Sequence, residues 1–175
     1  MNILLVAINA KYIHSNLAVY NLKACSGKYE DNITIAEYTI NEYPEVILRE
    51  IYNHHPDLVA VSCYIWNITF VEEVFKDFNR ICPDIPIWVG GPEVSYESVR
   101  FLEEHQYITG VMRGEGEETF AELLNSYYDN EIKLSDLSGI TYRDKDGTIH
   151  DNGMRNLVNM DSIPFVYENI SDFKN

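Results

Sequence analysis

Five apolar runs separated by stretches of helical spacing constrain this chain more than any other feature it has. Residues 3–8, ILLVAI, contain no polar position. A strand made from them has no water-facing side, so it belongs in a parallel sheet covered by helices on both faces. NITIAEYTI (32–40) alternates and carries β-branched residues, DLVAVSCYIW (57–66) reads as a fully buried third strand, IPIWVGG (85–91) as a fourth and ITGVMRG (108–114) as a weak fifth. The helices fall between them. SNLAVYNLKACSG (15–27) has Ser15 or Asn16 to cap its start and Gly27 to end it, and NEYPEVILREIYNHH (41–55) has a proline in its first turn. TFVEEVFKDFNRIC (69–82) sets Phe70, Val71, Val74, Phe75 and Phe78 on one face, and SYESVRFLEEH (95–105) and EETFAELLNSYYD (117–129) complete the set. Such alternation predicts a doubly wound, five-stranded parallel sheet with right-handed crossovers and a ligand at the carboxyl ends of its strands. After Ser138 the pattern changes: GITYRDKDGTIHDN reads as a β-hairpin turning around Asp144 to Gly147, and the tail from Met154 has no strong period.

Charge narrows the partners. The chain has 175 residues, 46% of them hydrophobic, which suits one core. Its 28 Asp and Glu against 13 Lys and Arg give a formal charge of −15, which repels nucleic-acid phosphates and anionic lipid headgroups alike. No apolar stretch approaches a membrane span, and the start, MNILLVAINAKYIH, lacks a signal-peptide pattern, so a cytoplasmic location is expected. Cys25, Cys63 and Cys82 are an odd number without close spacing, which predicts neither a disulfide framework nor a local metal site. Cys63 reads as a small buried hydrophobe.

Four loops should line the carboxyl edge: NAKYIHSN (9–16), SCYIWN (62–67), GGPEVS (90–95) and RGEGEE (113–118). A dinucleotide site needs Gly-x-Gly-x-x-Gly after the first strand, and a phosphate loop needs a glycine-rich turn ending in Gly-Lys-Ser or Gly-Lys-Thr. The first loop has no glycine. A phospho-acceptor receiver needs acidic residues after the first strand and an aspartate ending the third, and Asn9 and Ser62 to Trp66 do not supply them. A flavodoxin needs a hydroxyl-rich and glycine-rich turn after the first strand, where only Ser15 is present. The adjacent Gly90 and Gly91 stand out instead: either a ligand approaches the backbone there or the chain makes a tight strand-to-helix turn.

The loops VSCYIWN, WVGGPEVS and VMRGEGEETFAEL, followed by GITYRDKDGTIHDN and MDSIPFVYE, resemble the N-terminal half of cobalamin-binding radical S-adenosylmethionine enzymes, among them relatives of the anaerobic magnesium-protoporphyrin monomethyl ester cyclase. The resemblance covers nearly the whole chain. It implies a flavodoxin-like (Rossmann-like) α/β domain over residues 1–138 that binds cobalamin in its base-off form, a hairpin over 139–153 appended to it, and a connector over 154–175 leading to a radical domain. It further implies that Ser62 and the pair Gly90 and Gly91 line the slot for the dimethylbenzimidazole tail. Pro92 and Glu93 would border the corrin, Tyr64 and Trp66 would face it, and the loop Gly114, Glu115 and Gly116 would touch the cofactor. The cobalt-ligand pattern Asp-x-His-x-x-Gly has its nearest match in YIHSNL: His14 is present, with Tyr12 for the aspartate and Leu17 for the glycine. A ligating histidine relies on a carboxylate to orient it. No metal ligand is therefore assigned, and Tyr12 and His14 are placed at the cofactor, where Tyr12 or Tyr64 could shield the lower cobalt face.

The radical half of such enzymes holds a 4Fe–4S cluster through Cys-x-x-x-Cys-x-x-Cys and cleaves S-adenosylmethionine, and the three cysteines here cannot make that motif. The expectation is an excised cofactor module, catalysing nothing alone and partnered with a radical domain downstream in the full-length chain. Blander readings stay open. Ser62 could satisfy a loop amide, Tyr64, Ile65 and Trp66 could be core, His14 could sit at the surface, and Glu117 and Glu118 could simply favour a helix dipole. A cofactor-free interaction or regulatory domain, and a flavin- or nucleotide-binding module, are the alternatives.

Overall fold

The computed structural model describes residues 1–10, 15–129, 131–157, 161 and 163–166. Tyr12 and His14 lie outside the described residues, as does most of the tail after Leu157. Among the described residues the strands are β1 (Ile3–Asn9), β2 (Ile33–Thr39), β3 (Leu58–Ser62), β4 (Ile87–Gly90), β5 (Gly110–Met112), β6 (Ile140–Arg143) and β7 (Ile149–Asp151). The helices are α1 (Leu17–Ala24), α2 (Pro44–Asn53), α3 (Ile68–Ile81), the single turn α4 (Pro92–Ser95), α5 (Ser98–Glu104) and α6 (Glu117–Tyr128). One sheet runs β2-β1-β3-β4-β5-β6-β7. The first five strands pair in parallel, as the alternation predicts.

The sheet differs from the expectation in its width. β6 and β7 add antiparallel to β5, so the hairpin widens the sheet to seven strands. The reason is the shortness of β5: three residues buried on both faces would otherwise end the sheet in unpaired amides and carbonyls. β3 also stops earlier than its apolar run. Its last register partner is Ser62 opposite Gly90, and beyond it Ile65 is 78% exposed and Trp66 47%. The helix expected over 95–105 is likewise shortened to α5, and the separate turn α4 precedes it.

Strand alternation divides the core into two layers. Leu4, Val6, Ile8, Val59, Val61 and Val89 pack against α2, α3 and α5, with Val71, Val74, Phe75 and Phe78 of α3 buried and Phe70 partly buried. Leu5, Ala7, Ala60, Trp88 and Met112 face α1 and α6. On that second face Trp88 of β4 lies directly opposite Gly110 of β5, and its Nε1 donates to the Tyr127 hydroxyl at 3.0 Å. A β-carbon at Gly110 would run into the Trp88 ring. Glycine is required there for packing.

Candidate functional site

Where β1 and β3 lie side by side, the chain leaves one strand for β2 and the other for β4, which opens a crevice at the carboxyl edge. A cleft of about 610 Å³ lies there, within the roughly 300–1,000 Å³ typical of small-molecule sites. Its floor is the sheet itself, Leu5, Ala60 and Val61. Ala18, Val19 and Leu22 of α1 form one wall, and the loop from Met112 to Glu117 forms the other. The small side chains of Ala18 and Ala60 leave the depth open.

Three strand ends align across the floor: Ser62 is opposite Gly90, and Gly90 is opposite Met112. A β-carbon on Gly90 would sit 3.4 Å from the Met112 carbonyl oxygen and 3.7 Å from its methyl group, an ordinary contact. Glycine here therefore keeps open space that a larger side chain would occupy. Gly91 has another reason. Its φ of 114° and ψ of 173° fall in a region open essentially to glycine, and a β-carbon would be driven into the Cys63 carbonyl oxygen. The Cys63 amide donates to the Gly90 carbonyl at 2.7 Å, so the pairing of β3 with β4 continues closely past Ser62. The tight-turn reading accounts for Gly91 without a ligand. Gly114, at φ 72°, and Gly116 line the opposite wall, and a β-carbon on Gly116 would stand 3.0 Å from the Leu22 side chain across the cleft.

Two asparagines, unremarked as site residues in the sequence, hold this edge in place. Asn67, 1% exposed, donates from Nδ2 to the Ile8 carbonyl at 2.9 Å and the Ser62 carbonyl at 3.0 Å, and its Oδ1 accepts from the Tyr64 amide at 2.8 Å. One side chain thus joins the ends of β1 and β3 and turns the chain at Tyr64. Asn16 caps α1 by accepting from the Ala18 amide at 3.2 Å, and its Nδ2 donates to Ser62 Oγ at 2.9 Å. Its own amide donates to Glu37 at 2.8 Å, and the same carboxylate accepts from Asn9 and from the Tyr20 hydroxyl. Ser62 Oγ, accepting from Asn16, keeps its proton to donate elsewhere.

Tyr64 and Trp66 stack at 4.4 Å with their planes 6° apart. Tyr64 lines the cleft and also an adjoining hollow of about 370 Å³ that Trp66 borders. Burial pushes the Tyr64 hydroxyl above its ordinary range, opposed by its hydrogen bond with Asn16. Pro92, Glu115, Gly114 and Gly116 also line the cleft, whereas Glu93 is exposed on α4 outside its lining. Cys63 is fully buried, and burial raises its thiol far above the usual value. All three cysteines are free thiols, and among the described residues no group of three or more His, Cys, Asp or Glu could hold a metal.

Met112, Arg113, Ser95, Tyr96 and Met154 line the cleft without having been singled out in the sequence. Arg113 Nε donates to the Ser95 carbonyl at 3.2 Å and Nη1 to Asp151 at 2.5 Å, tying α4 to β7. Ala18 and Ala60, small residues inside otherwise bulky apolar runs, were the legible signal for a gap between helix and sheet.

A doubly wound sheet with an apolar, glycine-rimmed cleft beside its switch point defines an α/β module for a small organic ligand. Residues 3–124 match the B12 binding domain family, and the chain belongs to that family. It is 33% identical to the cobalamin-dependent radical SAM methyltransferase TokK of Streptomyces tokunonensis over 88 residues, 50% of this chain and 13% of the relative. It is 28% identical to the anaerobic magnesium-protoporphyrin IX monomethyl ester cyclase of Cereibacter sphaeroides over 131 residues, 74% of this chain and 21% of the relative. The cobalamin-dependent S-adenosylmethionine radical enzyme OxsB, solved with aqua-cobalamin and S-adenosylmethionine bound, shares the fold at a TM-score of 0.69 and 18% identity, over 88% of this chain and 22% of that one. The chain spans only 13% to 22% of the lengths of these proteins. In these relatives the matching region is one part of a longer chain. No helix among the described residues is long and apolar enough to cross a membrane.

Proposed function

We propose that this chain is the cobalamin-binding module of a radical S-adenosylmethionine enzyme, and that its cleft takes the nucleotide tail of a base-off cobalamin. The carrying observation is the row Ser62, Gly90, Met112 across the strand ends, where an absent side chain at Gly90 keeps a cradle open. Gly114 and Gly116 put no β-carbon on the facing wall, and Ser62 Oγ has a proton to donate into the cleft. Tyr64 and Trp66 give the corrin an aromatic platform at the rim, with Pro92 beside it. Glu93, exposed on α4 outside the cleft lining, borders the corrin periphery in this reading. Tyr12 and His14 lie outside the described residues and are assigned to the cofactor by the family resemblance alone.

In this reading residues 1–138 hold the cofactor, 139–153 close the sheet, and 154–175 lead to a downstream radical domain in the same full-length chain. That domain would bind a 4Fe–4S cluster and S-adenosylmethionine. Bound cobalamin supplies a cobalt centre that carries a methyl group or an electron. The module's own residues bind and orient it; the methyltransferase or cyclase chemistry belongs to the longer protein, for which a cytoplasmic location is the corresponding expectation.

The test is to mix the purified chain with hydroxocobalamin, remove free ligand by gel filtration and record the visible spectrum of the protein peak. Corrin absorbance that comigrates, and that Gly90→Val abolishes in a folded variant, is the expected result. A colourless peak from the full-length protein overturns the reading and favours a cofactor-free interaction domain.

A further inference from the structure

After β7 the chain does not leave the domain. It folds back over the carboxyl edge as a strap of four residues, Asn152 to Arg155, fastened at both ends. At the first end the Asn152 amide group donates from Nδ2 to the Leu134 and Leu137 carbonyls, 2.7 Å each, and its backbone amide donates to Ile140 at 3.1 Å. The Gly153 carbonyl accepts from the Gly139 amide at 3.1 Å. At the second end Arg155 grips the start of α6: Nε donates to Thr119 Oγ1 at 3.1 Å, Nη1 to Glu118 at 3.1 Å, and Nη2 to Glu122. The Arg155 side chain is only 15% exposed. Without it, Glu118 and Glu122 would face each other one turn apart as like charges.

Between these anchors lies Met154, which lines the cleft. Its methyl group covers Gly114, within 3.2 Å of where a β-carbon there would stand, yet the residue is 59% exposed. A flexible thioether half-open to solvent over a glycine is a surface ready to close on an apolar ligand. We infer that Met154 is a wall of the ligand site, and that Arg155 is its positioning residue, so that filling the cleft fixes the first residues of the connector. This rests on the cobalamin reading for the ligand, while the clamp itself stands on the contacts above. Its consequence is that the module would report cofactor occupancy through the segment leading out of the domain.

The experiment measures hydroxocobalamin affinity of the chain by absorbance titration, together with hydrogen exchange at residues 152–156 with and without ligand. Met154→Ala is expected to weaken binding about tenfold with an unchanged urea midpoint, and Met154→Leu to restore it to within about threefold. Arg155→Ala is expected to weaken binding similarly and to speed exchange at 152–156 in the ligand-free protein. In the unsubstituted chain, ligand should slow exchange at 152–156 and slow tryptic cleavage after Arg155. Equal affinity for Met154→Ala and the unsubstituted chain overturns the wall role. Unchanged exchange in Arg155→Ala overturns the clamp. Failure of the unsubstituted chain and its full-length parent to bind hydroxocobalamin overturns the cobalamin reading and the wall role with it, and the ligand-free exchange result then still decides the clamp.

Discussion

Replacing Gly91 by alanine is expected to destabilise the fold by about 3 kcal/mol, while the same change at Gly90 costs less than about 1 kcal/mol. The Gly91 backbone, at φ 114° and ψ 173°, lies where a residue with a side chain is strained by about 1–3 kcal/mol. The new β-carbon would also press on the Cys63 carbonyl oxygen and stand 3.2 Å from the Cys63 nitrogen. These are backbone atoms, so no rotamer change relieves them. Relief means opening the 2.7 Å bond from the Cys63 amide to Gly90, at about 1 kcal/mol. Taking the middle of the strain range, the sum is about 3 kcal/mol. At Gly90 the nearest atoms to a β-carbon lie 3.4 to 3.7 Å away, all in Met112, and two of them belong to its side chain.

Urea unfolding followed by far-ultraviolet circular dichroism, without ligand, measures both variants. With a denaturant slope of about 1–3 kcal/mol per molar, Gly91→Ala should lower the midpoint by roughly 1 to 3 M. A Gly91→Ala midpoint matching that of the unsubstituted chain would refute the backbone argument, and a Gly90→Ala loss as large as that of Gly91→Ala would show that the two glycines serve one purpose. The distinction governs how binding data are read. Loss of cobalamin from a Gly91 variant reports an altered junction at the ends of β3 and β4, whereas loss from a folded Gly90 variant reports the cleft.

Asn67→Ala should cost about 2–4 kcal/mol, because it leaves the Ile8 and Ser62 carbonyls and the Tyr64 amide without their side-chain partner, and a urea midpoint near that of the unsubstituted chain would contradict this. Gly110→Ala should shift Trp fluorescence and lower stability, since its β-carbon meets the Trp88 ring, and unchanged emission would count against the packing described. Burial pushes the Tyr38 hydroxyl up to about 12, with Glu50 and Glu42 adding to the shift. An unfolded tyrosine ionises near 10. Its folded pKa is the higher one, so the contribution is whole below about pH 10 and is lost as pH climbs toward 12, at up to about 1.4 kcal/mol per pH unit. Midpoints measured from pH 9 to 12 should fall, and Tyr38→Phe should flatten the fall; an identical slope would remove Tyr38 from the account.

The order of strands and helices was legible because it depends on local periodicity, and ILLVAI suits a strand covered on both faces. The end of β3 was not, because Cys63 to Trp66 continue the apolar run and only Asn67, reaching back 59 residues to Ile8, turns the chain there. Site residues divide the same way. Ser62, Gly90, Gly114 and Gly116 sit at strand and helix ends, so their place at the carboxyl edge follows from the alternation. Gly91 falls at the same edge, and of the two explanations the sequence leaves open the tight turn suffices, since the atom its side chain would strike belongs to Cys63, on another strand's exit. Asn16 is legible as the cap of α1, but its bond to Ser62 across 46 residues is not, and Arg155, which meets Thr119 across 36, leaves no local trace. What periodicity shows is the frame on which a cleft can open. The polar side chains that keep it open are chosen by partners distant in the chain, so a buried asparagine or a nearly buried arginine beside a strand end is where such a site should be sought.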